Sequence, residues 1–277
     1  MENYREININ DWHEVGRGSN AVTYASGDES LILKLNKLTS GEKMVANEYN
    51  LCRNVASMGI SAPHVHEIVR IGDKFGIIFR NVKNKKSFSR MIADNPEKIE
   101  EYTKTFTAKC RELHSTPCDT DLFEAKADVL RKGIDKAKFI DKYKPVLYKY
   151  VDEISECTTC LHGDMQMSNV ITTGKEDMWI DLSDFGYGYP MLDLGMWYFL
   201  AILNTEQRSI DLFHLGLADM RRIWDAFAKE YFGVSTAEEL EEVNRKVEPF
   251  AALHMLYLGS TYGFEPGMMD YIRAKLF

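Results

Sequence analysis

The hydrophobic pattern changes period near residue 82, and that switch restricts the chain to folds that join a small sheet to a larger helical body. Before it, Ala21–Ala25 and Leu31–Leu35 are short apolar-rich runs parted by the turn residues Ser26, Gly27, Asp28 and Glu29, which predicts two strands. From about Ser40 to Gly59, Val45, Tyr49, Cys52, Val55 and Ala56 recur at a helical period, and Gly59 is a natural stop. Two more strands are predicted at Val65–Ile71 and Phe75–Phe79, with Gly72, Asp73 and Lys74 as the hairpin between them. After Val82 the polar stretch Lys83–Ser87 reads as a connector. Beyond it Ile99, Tyr102, Phe106, Cys110 and Leu113 trace one helical stripe, and further helices are predicted over about 122–141, 145–156, 191–203, 207–232 and 236–258. A β-rich interruption at about 160–182 breaks this helical half. The expected fold class is therefore α+β, with an N-terminal sheet-plus-one-helix lobe at 1–82 and a larger helical lobe at 83–277.

Composition removes several functions. A net charge of −8 over 277 residues argues against general nucleic-acid binding, which needs clustered cations against phosphates. The longest apolar run, Met196–Leu203, is eight residues, far below the roughly 20 that span a bilayer. Met1–Trp12 carries no basic segment followed by an apolar run, so no secretory signal and a cytoplasmic location are expected. Five cysteines, an odd number, suit reduced thiols. Cys157 and Cys160 form a C-x-x-C close to His162, but no second ligand pair accompanies them, so neither a zinc nor a redox site is expected. The acidic run Glu238–Glu242 reads as a solvated helix face.

Four segments carry chemistry. In Leu161-His162-Gly163-Asp164-Met165-Gln166-Met167-Ser168-Asn169 an Asp precedes an Asn by five positions on one tight loop. Transfer of a phosphoryl group to a hydroxyl needs a carboxylate to orient the nucleophile and take its proton, and oxygen ligands for Mg²⁺; Asp164 and Asn169 can supply both. Asp181 ends the apolar run Trp179-Ile180, and a hairpin turn at Thr173–Glu176 would bring it to the same rim. Lys34 is embedded in the apolar strand Leu31–Leu35. Glu48 shares a helix face with Val45 and Cys52, and a Glu on such a stripe needs a partner, for which Lys34 is the obvious candidate. Gly16-Arg17-Gly18-Ser19-Asn20 enters a strand, as does a loop whose amides cover phosphates; a plain surface turn fits it as well.

Taken together, these residues resemble the aminoglycoside phosphotransferase and choline kinase-like family, whose fold is protein-kinase-like. The family's loop H-G-D-x-x-x-x-N is matched by His162 to Asn169. Its metal segment is matched by Ile180-Asp181, Gly188-Tyr189-Pro190 and Asp193-Leu194. The resemblance implies Asp164 as catalytic base, Asn169 and Asp181 as Mg²⁺ ligands, and His162 as an organiser of the loop. It also implies ATP as donor, with Lys34, held by Glu48, on its phosphates, Ser19 and Asn20 over them, and backbone at Arg80 and Val82 along the adenine edge. Asp184-Phe185-Gly186 spells a protein-kinase metal motif, but the family's spacing assigns the metal to Asp181 and leaves Asp184 a structural or supporting role. Departures are Met165 to Ser168, Tyr189 where an Asp is usual, and Arg80 where an acid is common. The implied activity is ATP- and Mg²⁺-dependent phosphorylation of a small-molecule hydroxyl (aminoglycoside, sugar, amino sugar or amino alcohol) by a monomer or weak dimer. The altered loop leaves open a nucleotide-binding regulator with little turnover. A protein kinase is a third reading, disfavoured because Pro190–Leu203 runs directly into a helix. The acidic balance leans towards a cationic acceptor, and Trp197, Tyr198, Trp224, Asp225, Tyr257, Tyr262 and Glu265 are candidates for binding it, with core packing the ordinary role of such aromatics.

Overall fold

A computed structural model describes residues 4–18, 20–154 and 156–277. The chain divides into two compact units, one formed by residues up to Lys85 with Ile171–Ser183, the other by Lys86–Val170 with Asp184–Phe277.

The first unit is a six-stranded sheet with one helix. Its strands are β1 (Arg5–Glu6), β2 (Trp12–Arg17), β3 (Ala21–Ser26), β4 (Leu31–Asn36), β5 (Val65–Ile71) and β6 (Lys74–Arg80), in the order β1-β5-β6-β4-β3-β2. All neighbours are antiparallel except β1 and β5. Helix α1 (Glu42–Ser57) is the one α-helix among the described residues of this unit, and Val45, Cys52 and Val55 form its buried face. Alternation in β4 sends Leu33 and Leu35 into a core with Val69 and Ile78, and turns Ile32 and Lys34 to the opposite face. Burying each such side chain stabilises the sheet by roughly 1.5–3 kcal/mol. Gly72 turns the β5–β6 hairpin at a φ of 60°, which a side chain rarely adopts. The strands β9 (Val170–Thr172) and β10 (Asp177–Trp179) pair, and the segment that carries them is tied to this unit where the Trp179 amide donates to the Ser61 carbonyl and the Ser61 hydroxyl to Glu176.

The second unit is mainly helical. A short strand β7 (Lys86–Ser87) leads into α2 (Phe88–Asp94), followed by α3 (Ile99–Ser115), α4 (Lys126–Lys136), α5 (Lys144–Ile154), α6 (Met191–Ile202), α7 (Glu206–Phe213), α8 (Leu217–Phe232), α9 (Ala237–Tyr262) and α10 (Met268–Leu276). Strands β8 (Thr159–Leu161) and β11 (Gly186–Gly188) form a small antiparallel pair. The core gathers Phe106, Trp197 and Phe227, with the Trp197 ring edge-on to Phe106 at 5.8 Å. Gly195 lets α6 close on α9: a Cβ there would stand 2.4 Å from the Phe250 carbonyl carbon.

The differences from the sequence reading have local causes. The helix expected over 207–232 is two, because His214 adopts the left-handed region at a φ of 61° and Gly216 starts α8. The one expected over 122–141 is shortened to α4, with Lys138–Tyr143 in 3-10 form. A capping box between Thr236 and Glu239 starts α9, as the sequence allows, and the helix then runs past 258 to Tyr262. No helix of the described residues is long and apolar enough to cross a membrane.

Candidate functional site

In the first unit the expected pair forms. Lys34 Nζ lies 2.7 Å from Glu48 Oε1 and 2.7 Å from Asp181 Oδ1. Strand alternation turns Lys34 away from the core, and the period of α1 sets Glu48 opposite it. Asp181 is reached by a backbone in the left-handed region, at a φ of 59°, which is uncommon outside glycine though aspartate tolerates it better than most. Burial works against the Lys34 ammonium, but the charges and hydrogen bonds of Glu48 and Asp181 outweigh it, and its pKa lies above the ordinary lysine value. Burial beside the Glu48 charge pushes the Cys52 thiol up to about 12, so this cysteine is inert packing in the wall.

These side chains sit in a cleft of about 470 Å³, lined also by Gly16, Thr23, Ile32, Phe79, Arg80 and Val82. That volume falls in the range of roughly 300–1,000 Å³ typical of small-molecule sites. Arg80 and Val82 are thus placed in the cleft wall. Asn20 is exposed and is not among the lining residues; its carbonyl accepts from the Lys37 amide, while Lys37 Nζ donates to the Gly18 carbonyl. Ser19 lies outside the described residues.

In the second unit the loop after β8 is organised from beneath. His162 is fully buried, and its Nδ1 accepts from the Asp164 amide at 3.2 Å. Gly163 has a φ of 81°, and a Cβ on it would stand 1.9 Å from the Asp184 carbonyl oxygen, so no other residue fits. The buried Asp193, from the first turn of α6, accepts from the amides of His162 (2.7 Å) and Gly163 (2.9 Å) and from His114 Nε2 (3.2 Å). His114 Nδ1 in turn lies 2.8 Å from the Tyr231 hydroxyl. Burial alone would raise the Asp193 pKa; the His114 hydrogen bond and charge, with the loop amides, hold it below the usual carboxylate value.

Above this support, Gln166 Nε2 donates to both Asp164 carboxylate oxygens at 3.1 Å, and Asn169 Nδ2 donates to Asp164 Oδ2 at 2.9 Å. The loop's unusual composition has a packing reason in part, since Met165 and Met167 are fully buried. Asp164 and Asn169 are therefore brought together in one unit, and Lys34, Glu48 and Asp181 in the other.

Hard oxygen donors suit Mg²⁺, which takes one or two protein oxygens and completes its shell with phosphates and water. The Asp181 carboxylate and the Asn169 amide oxygen are donors of that kind. Among the described residues no cluster of three or more His, Cys, Asp or Glu is placed to hold a metal ion. Cys157 and Cys160 are free thiols.

The sequence reading missed His114 and Tyr231, whose partners lie far away in the chain, and Gln166, whose type is uninformative. Of the acceptor candidates, Trp197 and Trp224 are fully buried core, Glu265 pairs with Arg208, and Tyr257 lines a small cavity. Tyr189 packs its ring against Phe250 at 5.6 Å.

No family model matches the sequence, and neither does any curated protein. Solved structures do match over nearly the whole chain. The streptomycin–ATP–APH(2'')-IIa ternary complex superposes with a TM-score of 0.56 at 18% identity, covering 96% of this chain and 90% of that one. The ADP-bound aminoglycoside phosphotransferase APH(2'')-Ib gives 0.57 at 16%, covering 98% and 93%. A choline/ethanolamine kinase family protein from Mesorhizobium loti gives 0.52 at 16%, covering 96% and 85%. The chain thus has the protein-kinase-like fold that aminoglycoside phosphotransferases share with choline and ethanolamine kinases, a small N-terminal sheet followed by a larger helical part.

Proposed function

We propose that this protein is a small-molecule kinase that moves the γ-phosphoryl group of ATP to a hydroxyl of a small acceptor. The observation that carries the reading is Lys34, paired with both Glu48 and Asp181 inside a cleft of nucleotide size. The fold it shares with ATP- and ADP-bound phosphotransferases supports the same donor. Lys34 engages the phosphates, Glu48 holds its ammonium in place, and the backbone at Arg80 and Val82 meets the base. Asp181 and Asn169 are the proposed Mg²⁺ ligands. Bound with the nucleotide, Mg²⁺ would neutralise phosphate charge. Asp164, steadied by Gln166 and Asn169, orients the acceptor hydroxyl and receives its proton. The hydroxyl oxygen forms a bond to the γ-phosphorus, the bond from that phosphorus to the β–γ bridging oxygen breaks, and ADP leaves with the electron pair.

The test is ADP formation with Mg²⁺ and a mixed panel of aminoglycosides, choline, ethanolamine, sugars and amino sugars. Turnover with one acceptor, abolished in Asp164→Ala, is the expected result. Turnover that survives Asp164→Ala at the wild-type rate would refute the assignment. Binding of ATP with no transfer to any acceptor would favour a nucleotide-binding regulator.

A further inference from the structure

The second unit holds a small cavity of about 70 Å³ that the account so far does not use. Gly163, the residue before Asp164, forms part of its wall, together with Asp184 and Asp193, so it adjoins the loop that carries the proposed base. From the helices come Lys126 at the start of α4, and His254 and Tyr257 from α9. Leu192 and Phe250 add an apolar and an aromatic surface.

Two of these side chains are held by packing and charge alone, Lys126 beside Asp184 and Asp193 and His254 with its ring 5.7 Å from that of Phe199. Neither Lys126 nor His254 makes a hydrogen bond or ion pair among the described residues. Lys126 is also poorly placed as a cation. It occupies the first residue of a helix, where the aligned peptide dipoles already present positive charge, and no side chain caps that end. Its stem lies along the two glycines of β11: a Cβ on Gly186 would come within 3.1 Å of Lys126 Cε, and one on Gly188 within 3.5 Å of Lys126 Cβ. Burial lowers the Lys126 pKa despite the negative charges of Asp184 and Asp193, and burial lowers that of His254 to about 4, so the imidazole is neutral at pH 7.

The combination selects a ligand. A ligand ammonium would gain Asp184 and Asp193 but meet the Lys126 charge, so a full positive charge suits only part of the cavity. A ligand anion would meet Asp184 and Asp193. An uncharged hydroxyl suits every group: it accepts from Lys126, donates to a carboxylate, and does either with His254 or Tyr257. The aromatic and aliphatic wall takes the C–H face that accompanies such hydroxyls. The volume admits a hydroxymethyl group or a few waters, not a whole ring.

We propose that this cavity is a subsite for the acceptor that takes an uncharged hydroxyl-bearing arm, so that the acceptor is a neutral sugar or polyol and not a polycation. This rests on reading the Asp164 loop as the phosphoryl-transfer loop.

The experiment compares neutral probes (glucose, ribitol, myo-inositol, glycerol) with cationic ones (kanamycin, choline) by ADP formation with Mg²⁺-ATP and by saturation-transfer NMR. The wild type, Lys126→Met and His254→Gln are each measured; Met keeps the aliphatic stem over Gly186 and Gly188. The expected result is binding and turnover of a neutral probe, with its KM raised at least tenfold in Lys126→Met and the KM for ATP unchanged. Turnover of cationic probes alone overturns the proposal, as does a neutral-probe KM that neither variant changes, or a neutral panel silent in both assays. Neutral-probe binding that is lost in Lys126→Met, with no ADP formed, would keep the cavity assignment and remove the kinase reading. ADP formed with kanamycin alone would do the reverse.

Discussion

The two halves of the candidate machinery are held by different physics. The cluster of Lys34, Glu48 and Asp181 is made of three charged side chains, of which Asp181 is nearly half exposed at 44% and Lys34 a quarter exposed at 26%. Such pairs are loosely determined, because water screens them and their side chains have alternative rotamers. The support of the Asp164 loop is instead buried, with Asp193 only 2% exposed and satisfied by two backbone amides and an imidazole. A buried carboxylate that accepts three hydrogen bonds has little freedom to rearrange. The contrast suits the proposed roles: a lysine that must trade a carboxylate for phosphates gains from a weak hold, and a base that must meet one hydroxyl gains from a rigid one.

If that contrast is right, damage to the buried support costs stability as well as activity, and damage to the ionic cluster costs activity mostly. The largest effect is expected for Asp193→Ala, which strips the loop amides and His114 of their acceptor; chemical denaturation should show a loss of about 3–5 kcal/mol. Gly163→Ala drives a methyl group into the Asp184 carbonyl at a backbone angle unsuited to a side chain. A loss of about 3 kcal/mol is expected from overpacking and strain together. A wild-type melting curve would show instead that the loop yields.

The next effect depends on pH. His254 has a folded pKa near 4 against an ordinary 6.5, because burial disfavours its charged form. Between those values the unfolded chain binds a proton that the folded one does not, so stability is complete above about 6.5 and falls as pH drops towards 4, by roughly 3 kcal/mol. Denaturation at pH 7 and pH 4.5 should show a smaller fall in His254→Gln than in the wild type; equal falls would place the proton elsewhere. The smallest effect on stability is expected for Lys34→Met, about 1 kcal/mol, since the pair is partly exposed and its loss leaves Glu48 facing Asp181. A loss as large as that of Asp193→Ala would erase the distinction between the two clusters.

The sequence carried the first cluster better than the support of the second. Lys34 in an apolar strand and Glu48 on the buried stripe of α1 are local anomalies, and each needs a partner, so the pair could be anticipated from period alone. Asp164 and Asn169 were legible from their spacing on one loop. His114 was not: it ends the α3 stripe as an ordinary helical residue, and its partner Asp193 lies 79 positions away. Tyr231 is a further step removed, and nothing in its own segment marks it. Lys126 and His254 gave no signal, since a lysine that starts a helix and a histidine within one are unremarkable until the packing surrounds them. Helix boundaries failed where single residues decide them, as at His214, whose left-handed backbone is not written in its type.

The most direct test of the division of labour is titration of Mg²⁺-ATP into the wild type, Lys34→Met and Asp164→Ala by calorimetry. The account predicts that Asp164→Ala binds ATP within about twofold of the wild type, and that Lys34→Met binds it at least tenfold more weakly, a loss of about 1.4 kcal/mol. Wild-type affinity in Lys34→Met, or no binding of ATP by the wild type itself, would contradict it.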